Sequence, residues 1–147
     1  MLLRKNILVV LLLLFTLPAI TYADQPWMKA ARVDLLQART QLSSAMHNKG
    51  GHRAKALEYV NSALGAVNEG IRFDQRHNNH AQTLSGNFFA LEAVPDQPHM
   101  QKALDHLQQA KTNLESAATN KGGWRVKAIG YVNQAIDEVK KGVEAGE

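Results

Sequence analysis

The chain has 147 residues, with seventeen Lys and Arg against thirteen Asp and Glu, no cysteine and four prolines, which suits one compact domain. Without a thiol there is no disulfide, no thiolate nucleophile and no lipid attached through an N-terminal cysteine, so the fold must stand on apolar packing.

Met1 to Ala23 reads as a signal peptide, residues 1–23. Arg4 and Lys5 form a basic start, Ile7 to Phe15 an apolar run, and Thr21 and Ala23 supply the small residues that a signal peptidase needs. The apolar stretch from Ile7 to Ile20, interrupted by Pro18, is short for a bilayer span. Cleavage near Asp24 is therefore expected, with no membrane span afterwards and a periplasmic or extracellular location. Residues 24–147, one helical domain, then carry fifteen bases against thirteen acids, a net charge of +2. So small an excess argues against nucleic acid as a partner, because proteins that bind it concentrate bases on one face.

An internal repeat organises the rest. Asn48-Lys49-Gly50-Gly51-His52-Arg53-Ala54-Lys55-Ala56 returns 72 residues later as Asn120-Lys121-Gly122-Gly123-Trp124-Arg125-Val126-Lys127-Ala128. The match runs on through Tyr59-Val60-Asn61 and Tyr131-Val132-Asn133 to Gly70 and Gly142. Upstream, Met28, Ala31, Leu35, Ala38, Leu42 and Ala45 are spaced three and four apart, as are Met100, Ala103, Leu107, Ala110, Leu114 and Ala117. That spacing predicts amphipathic helices. Downstream of the glycines, Ala56, Val60, Ala63 and Val67 form a second stripe, matched by Ala128, Val132, Ala135 and Val139. Helices are expected near residues 26–47, 52–73, 98–119 and 124–143.

Each copy (26–73 and 98–143) is then a helical hairpin, with Gly50 and Gly122 suited to a left-handed residue at the end of its first helix. Two hairpins bury their apolar faces most simply against each other, so the expected fold is all-α, an antiparallel four-helix bundle. An up-down-up-down order would bring both Gly-Gly loops to one end. The other arrangement open to the sequence is a homodimer in which each hairpin packs on a hairpin of a second chain. The linker, residues 74–97, is long for a bundle connection, and carries Phe88 and Phe89, either a cover over the core or a contact loop for a partner.

The Asn-Lys-Gly-Gly-His-Arg loop, followed by Ala56-Leu57, Tyr59-Val60-Asn61 and Ala63-Leu64 and ended by Glu69-Gly70-Ile71, resembles a motif of small exported bacterial α-helical proteins with no assigned activity. The resemblance covers both hairpins. It implies the helical fold and export, and no mechanism. His52 keeps the histidine that commonly follows the two glycines in that pattern, and Trp124 departs from it.

Enzyme chemistry has little support. No Gly-x-Ser-x-Gly elbow, phosphate-binding glycine loop, haem c attachment motif or Glu-x-x-His pair occurs, so no cofactor is expected. Met28, Met46, Met100 and His106 would be the only helical haem ligands, and Met at stripe positions is usually core filler. Asp74, His77 and His80, each three apart, would share one side of a helix and form the candidate metal cluster. Lys49, Arg53, Lys55, Lys121, Arg125 and Lys127 flank the two loops. They either cap helix ends or converge on an anion or acidic partner. The leading expectation is a non-enzymatic exported bundle that binds an unknown protein or small anionic ligand, or serves as a structural module. The alternative is a periplasmic metal carrier.

Overall fold

The computed structural model describes residues 24–46, 50–78, 96–119 and 122–145. They form four helices: α1 (Asp24–Ser44), α2 (His52–Asn78), α3 (Asp96–Ser116) and α4 (Trp124–Glu144). The fold is all-α, a four-helix bundle, with no strand among the described residues.

The apolar stripes form the core. Leu35, Leu42, Leu107 and Leu114 are wholly buried, and each contributes about 1.5–3 kcal/mol relative to exposure. Between them Ala31, Ala38, Ala103 and Ala110 are equally buried. In α2 and α4 the buried stripe is Ala56, Val60, Ala63 and Val67, then Ala128, Val132, Ala135 and Val139. Alternating small and large residues let neighbouring helices approach closely and interdigitate.

The helix limits differ from the expected ones where local chemistry overrides the apolar period. Both α1 and α3 open on Asp-Gln-Pro, at residues 24–26 and 96–98. Proline is tolerated there because a first-turn N–H has no intrahelical partner. Helix α2 continues five residues past the expected end at Phe73. No Gly or Pro interrupts the run from Arg72 to Asn78, Asp74 is buried, and the His77 ring stacks on Phe73 one turn earlier with centroids 4.1 Å apart. Asp74 and His77 therefore belong to α2 and not to a linker beginning at residue 74, and residues 79–95 lie outside the described residues.

The glycines also act differently from expectation. Both members of each pair have positive φ, +57° and +79° at Gly50 and Gly51, +58° and +79° at Gly122 and Gly123, which favours glycine. They lie several residues beyond Ser44 and Ser116, and start the next helix instead of ending the first. Lys55 N–H donates to Gly51 O at 3.2 Å and Lys127 N–H to Gly123 O at 3.1 Å. A side chain at Gly122 would also meet the Phe73 ring at 3.0 Å.

Contacts between helices give their arrangement. Helix α1 packs on α2 and α3, and α4 packs on α2 and α3; the α1/α3 and α2/α4 seams are the more extensive. Gln41, near the end of α1, meets His99, near the start of α3, while Asp34 meets Asn113 further along. His52, the first residue of α2, meets Glu138 near the end of α4, and Gly122 before α4 lies against Phe73 late in α2. Every neighbouring pair is therefore antiparallel, and α2 and α3 run the same way. The up-down-up-down order is corrected to one in which α1 and α4 oppose α2 and α3. The two Gly-Gly loops lie at opposite ends, and the connection from α2 to α3 passes from one end to the other. Seventeen residues suffice for that (residues 79–95).

Ala63 and Ala135 have no exposed surface, whereas Ala54 is exposed. Replacement of either buried alanine by Leu should overpack a seam and lower stability by about 1–3 kcal/mol in urea titration, and Ala54→Leu should cost clearly less. Equal costs at all three positions would contradict the stripe.

Candidate functional site

Arg53 and Arg125 act on the carbonyl ends of the preceding helices. Arg53 Nη1–H donates to Leu42 O at 2.9 Å and Ser43 O at 3.3 Å. Arg125 Nε–H donates to Leu114 O at 2.6 Å and its Nη2–H to Glu115 O at 2.9 Å. Each guanidinium thus binds carbonyls of the last turn of the preceding helix, one of which, Leu114 O, also accepts from Ala117 N–H at 3.3 Å, and sits where a helix terminus favours positive charge. Of the other loop bases, Lys55 is exposed and Lys127 Nζ lies 4.7 Å from the centre of the Trp124 ring, a cation–π contact. Lys49 and Lys121 lie outside the described residues. Because the loops occupy opposite ends, the four described bases, Arg53 and Lys55 on one side and Arg125 and Lys127 on the other, do not converge. That removes the geometric basis for one shared anion site.

The candidate metal cluster is also divided. Asp74 is buried and His77 exposed, although three residues separate them. His77 Nδ1–H donates to Phe73 O at 2.7 Å. His80, like Phe88 and Phe89, lies outside the described residues. Among the described residues no group of three His, Asp or Glu side chains is placed to hold a metal ion. Of the haem-ligand candidates, Met28 and Met100 are buried in the core, and Met46 is exposed on the chain following α1.

The more organised polar sites were not singled out in the sequence, and they lie in the two extensive seams. In the α1/α3 seam, His99 Nδ1–H donates to Gln41 Oε1 at 2.7 Å, and both residues are buried. Asn113 Nδ2–H donates to Asp34 Oδ2 at 2.6 Å. Burial raises the Asp34 carboxyl above its ordinary range, opposed by the Asn113 bond and the nearby His106. In the α2/α4 seam, His52 Nδ1–H donates to Glu138 Oε2 at 2.8 Å, and Lys141 Nζ–H donates to Glu138 Oε1 at 3.0 Å. The His52 bond, then the Lys141 bond, hold the Glu138 carboxyl below its ordinary range.

Both histidine pairs seal the same end of the bundle. At the positions 72 residues away, the opposite end carries Trp124 for His52, Trp27 for His99 and Ala66 for Glu138. The signal for the seam residues was therefore present as mismatches between the two copies, although one of the mismatched residues, Trp27, is exposed. It does not reveal which mismatched residues meet. The arrangement shows helix caps and interhelical hydrogen bonds, each with its partner in place.

No family model matches the chain, and no curated protein or solved structure is similar to it.

Two expected outcomes follow from the caps and the seam. Arg53→Gln with Arg125→Gln should cost at most about 1–2 kcal/mol. Sulfate raises the midpoint of any fold by exclusion from its surface, so parent and double variant should show the same rise with sulfate at matched ionic strength. A sulfate-specific rise that the double variant loses would reinstate an anion site. For Glu138 the folded carboxyl is lowered, so its stabilisation is complete above the unfolded value and is lost as pH falls through the folded one. The midpoint difference between parent and Glu138→Gln should accordingly shrink as pH falls below the ordinary carboxylate range. A difference independent of pH would disprove the ionic role.

Proposed function

We propose that the chain is an exported, non-enzymatic helical bundle that acts as a binding or structural module. The observation that carries this reading is the use made of its polar side chains. Arg53 and Arg125 cap helices, while His52 with Glu138 and Gln41 with His99 tie helices together. Groups that could have served a reaction are engaged in holding the bundle. Among the described residues no helix is long and apolar enough to cross a membrane. An acidic protein or small anion would meet the exposed Lys55 at one end or Lys127 at the other, one end at a time.

A metal carrier is the second reading, favoured by one detail. A backbone carbonyl that accepts from Nδ1, as Phe73 O does for His77, leaves Nε2 as the acceptor, a common preparation of histidine ligands. The ligand set would be Asp74, His77 and His80.

One preparation tests both readings. Untagged protein recovered from the exported fraction should have its N-terminus at or within a few residues of Asp24 by intact mass, and no stoichiometric metal by elemental analysis. Retention of Met1 would refute export. Stoichiometric metal that is lost on His77→Ala would replace the first reading by the second.

A further inference from the structure

The two hairpins, α1–α2 and α3–α4, are joined in the chain through residues 79–95. Within each hairpin the polar ties are the arginine bonds to the neighbouring helix end. Between hairpins run the two extensive seams and the pairs Gln41–His99, Asp34–Asn113 and His52–Glu138. A hairpin thus leaves its main apolar face and its most specific polar groups to be completed by the other.

We infer that this face is also a docking surface for a second copy of the chain. Two chains exchange hairpins, and each seam is rebuilt between α1–α2 of one copy and α3–α4 of its partner.

The seam chemistry selects the complementary hairpin over a like one. If α1–α2 paired with the same hairpin of another copy, the 72-residue correspondence would put Ala66 where Glu138 meets His52, and Trp27 where His99 meets Gln41. A second Asp34 would replace His106 beside Asp34. Gln41 would exchange His99 for the Asp34 of the other copy, in the place Asn113 now holds, and two carboxylates would approach each other; the approach of like charges opposes pairing. Exchange of complementary hairpins keeps every pair.

The connection decides between the closed monomer and the exchanged dimer. It must pass from the end of α2 to the start of α3 at the other end of the bundle, roughly 40 Å for a helix of α2's length at 1.5 Å per residue. Residues 79–95 reach at most about 60 Å and can close within one chain. Such a linker supplies an effective concentration of about millimolar, so dilute protein is mainly monomeric. The dimer gains when protein concentration rises to that level or when the connection is too short to span.

The test shortens the connection. Deletion of residues 81–92 leaves five residues between α2 and α3, with a reach of about 20 Å. By light scattering and circular dichroism at ~50 µM, well below that effective concentration, the deletion should be a dimer with the helicity of the parent. A helical monomer would overturn the inference. In the deletion background Glu138→Ala should raise the dissociation constant about five-fold or more, through loss of the His52 pair, and a dimer indifferent to it would show that another face is used. The parent chain provides an independent decision, including the case where the deletion does not fold. Isotopically light and heavy parent are unfolded together, refolded and chemically cross-linked at ~1 mM, and only then diluted for mass spectrometry. Mixed light–heavy dimers are expected; light and heavy monomers alone would overturn the exchange.

Discussion

Close approach of helices at alanine is the constraint on which the bundle depends. Ala31, Ala38, Ala103 and Ala110 leave room between the buried leucines of α1 and α3, and Ala56, Ala63, Ala128 and Ala135 do the same between the valines of α2 and α4. The wells and ridges so formed are shallow but regular, and they fit at many positions along a helix. A regular seam alone fixes neither direction nor partner strongly. The polar pairs supply that choice, because buried amide and imidazole groups satisfy one another in only one register.

The choice is made mainly at one end. His52 with Glu138 and Gln41 with His99 close the two seams there, while the matching positions at the other end carry Trp124 and Trp27. One end is closed by hydrogen bonds and charge; at the other Trp124 packs on the core with Lys127 over its ring, and Trp27 is exposed. This division makes the Glu138 end the pH-sensitive one, since its lowered carboxyl loses its advantage on protonation.

The fold was legible in the sequence because three-four spacing of Ala with Leu or Val is a strong helical signal, and the stripe from Met28 to Ala45 is buried throughout. The limits of α2 were less legible. His77 over Phe73 and the burial of Asp74 extend the helix through polar residues that periodicity reads as linker. Helix order failed for a different reason: a long connection permits either direction for the second hairpin, and the deciding contacts lie far apart in sequence, as between Gln41 and His99. The same order sets Arg53 and Lys55 at one end and Arg125 and Lys127 at the other. Arg53 and Arg125 were legible as caps because their place beside a helix terminus already predicts the role, whereas Glu138 as the partner of His52 had no local signal.

The alternation of helix directions has an electrostatic consequence. Each end of the bundle presents two helix N-termini and two C-termini: α2 and α3 begin where α1 and α4 finish, and the reverse holds at the far end. A terminus carries about half an elementary charge of either sign, so the four macrodipoles largely cancel beyond the bundle surface. Neither end projects a lasting backbone field into solvent. Any long-range guidance of a charged partner must come from side chains, and Arg53 and Arg125 already face the local negative ends of α1 and α3. The backbone therefore adds no long-range field of its own, and whatever field surrounds the bundle is set by the placement of its charged side chains.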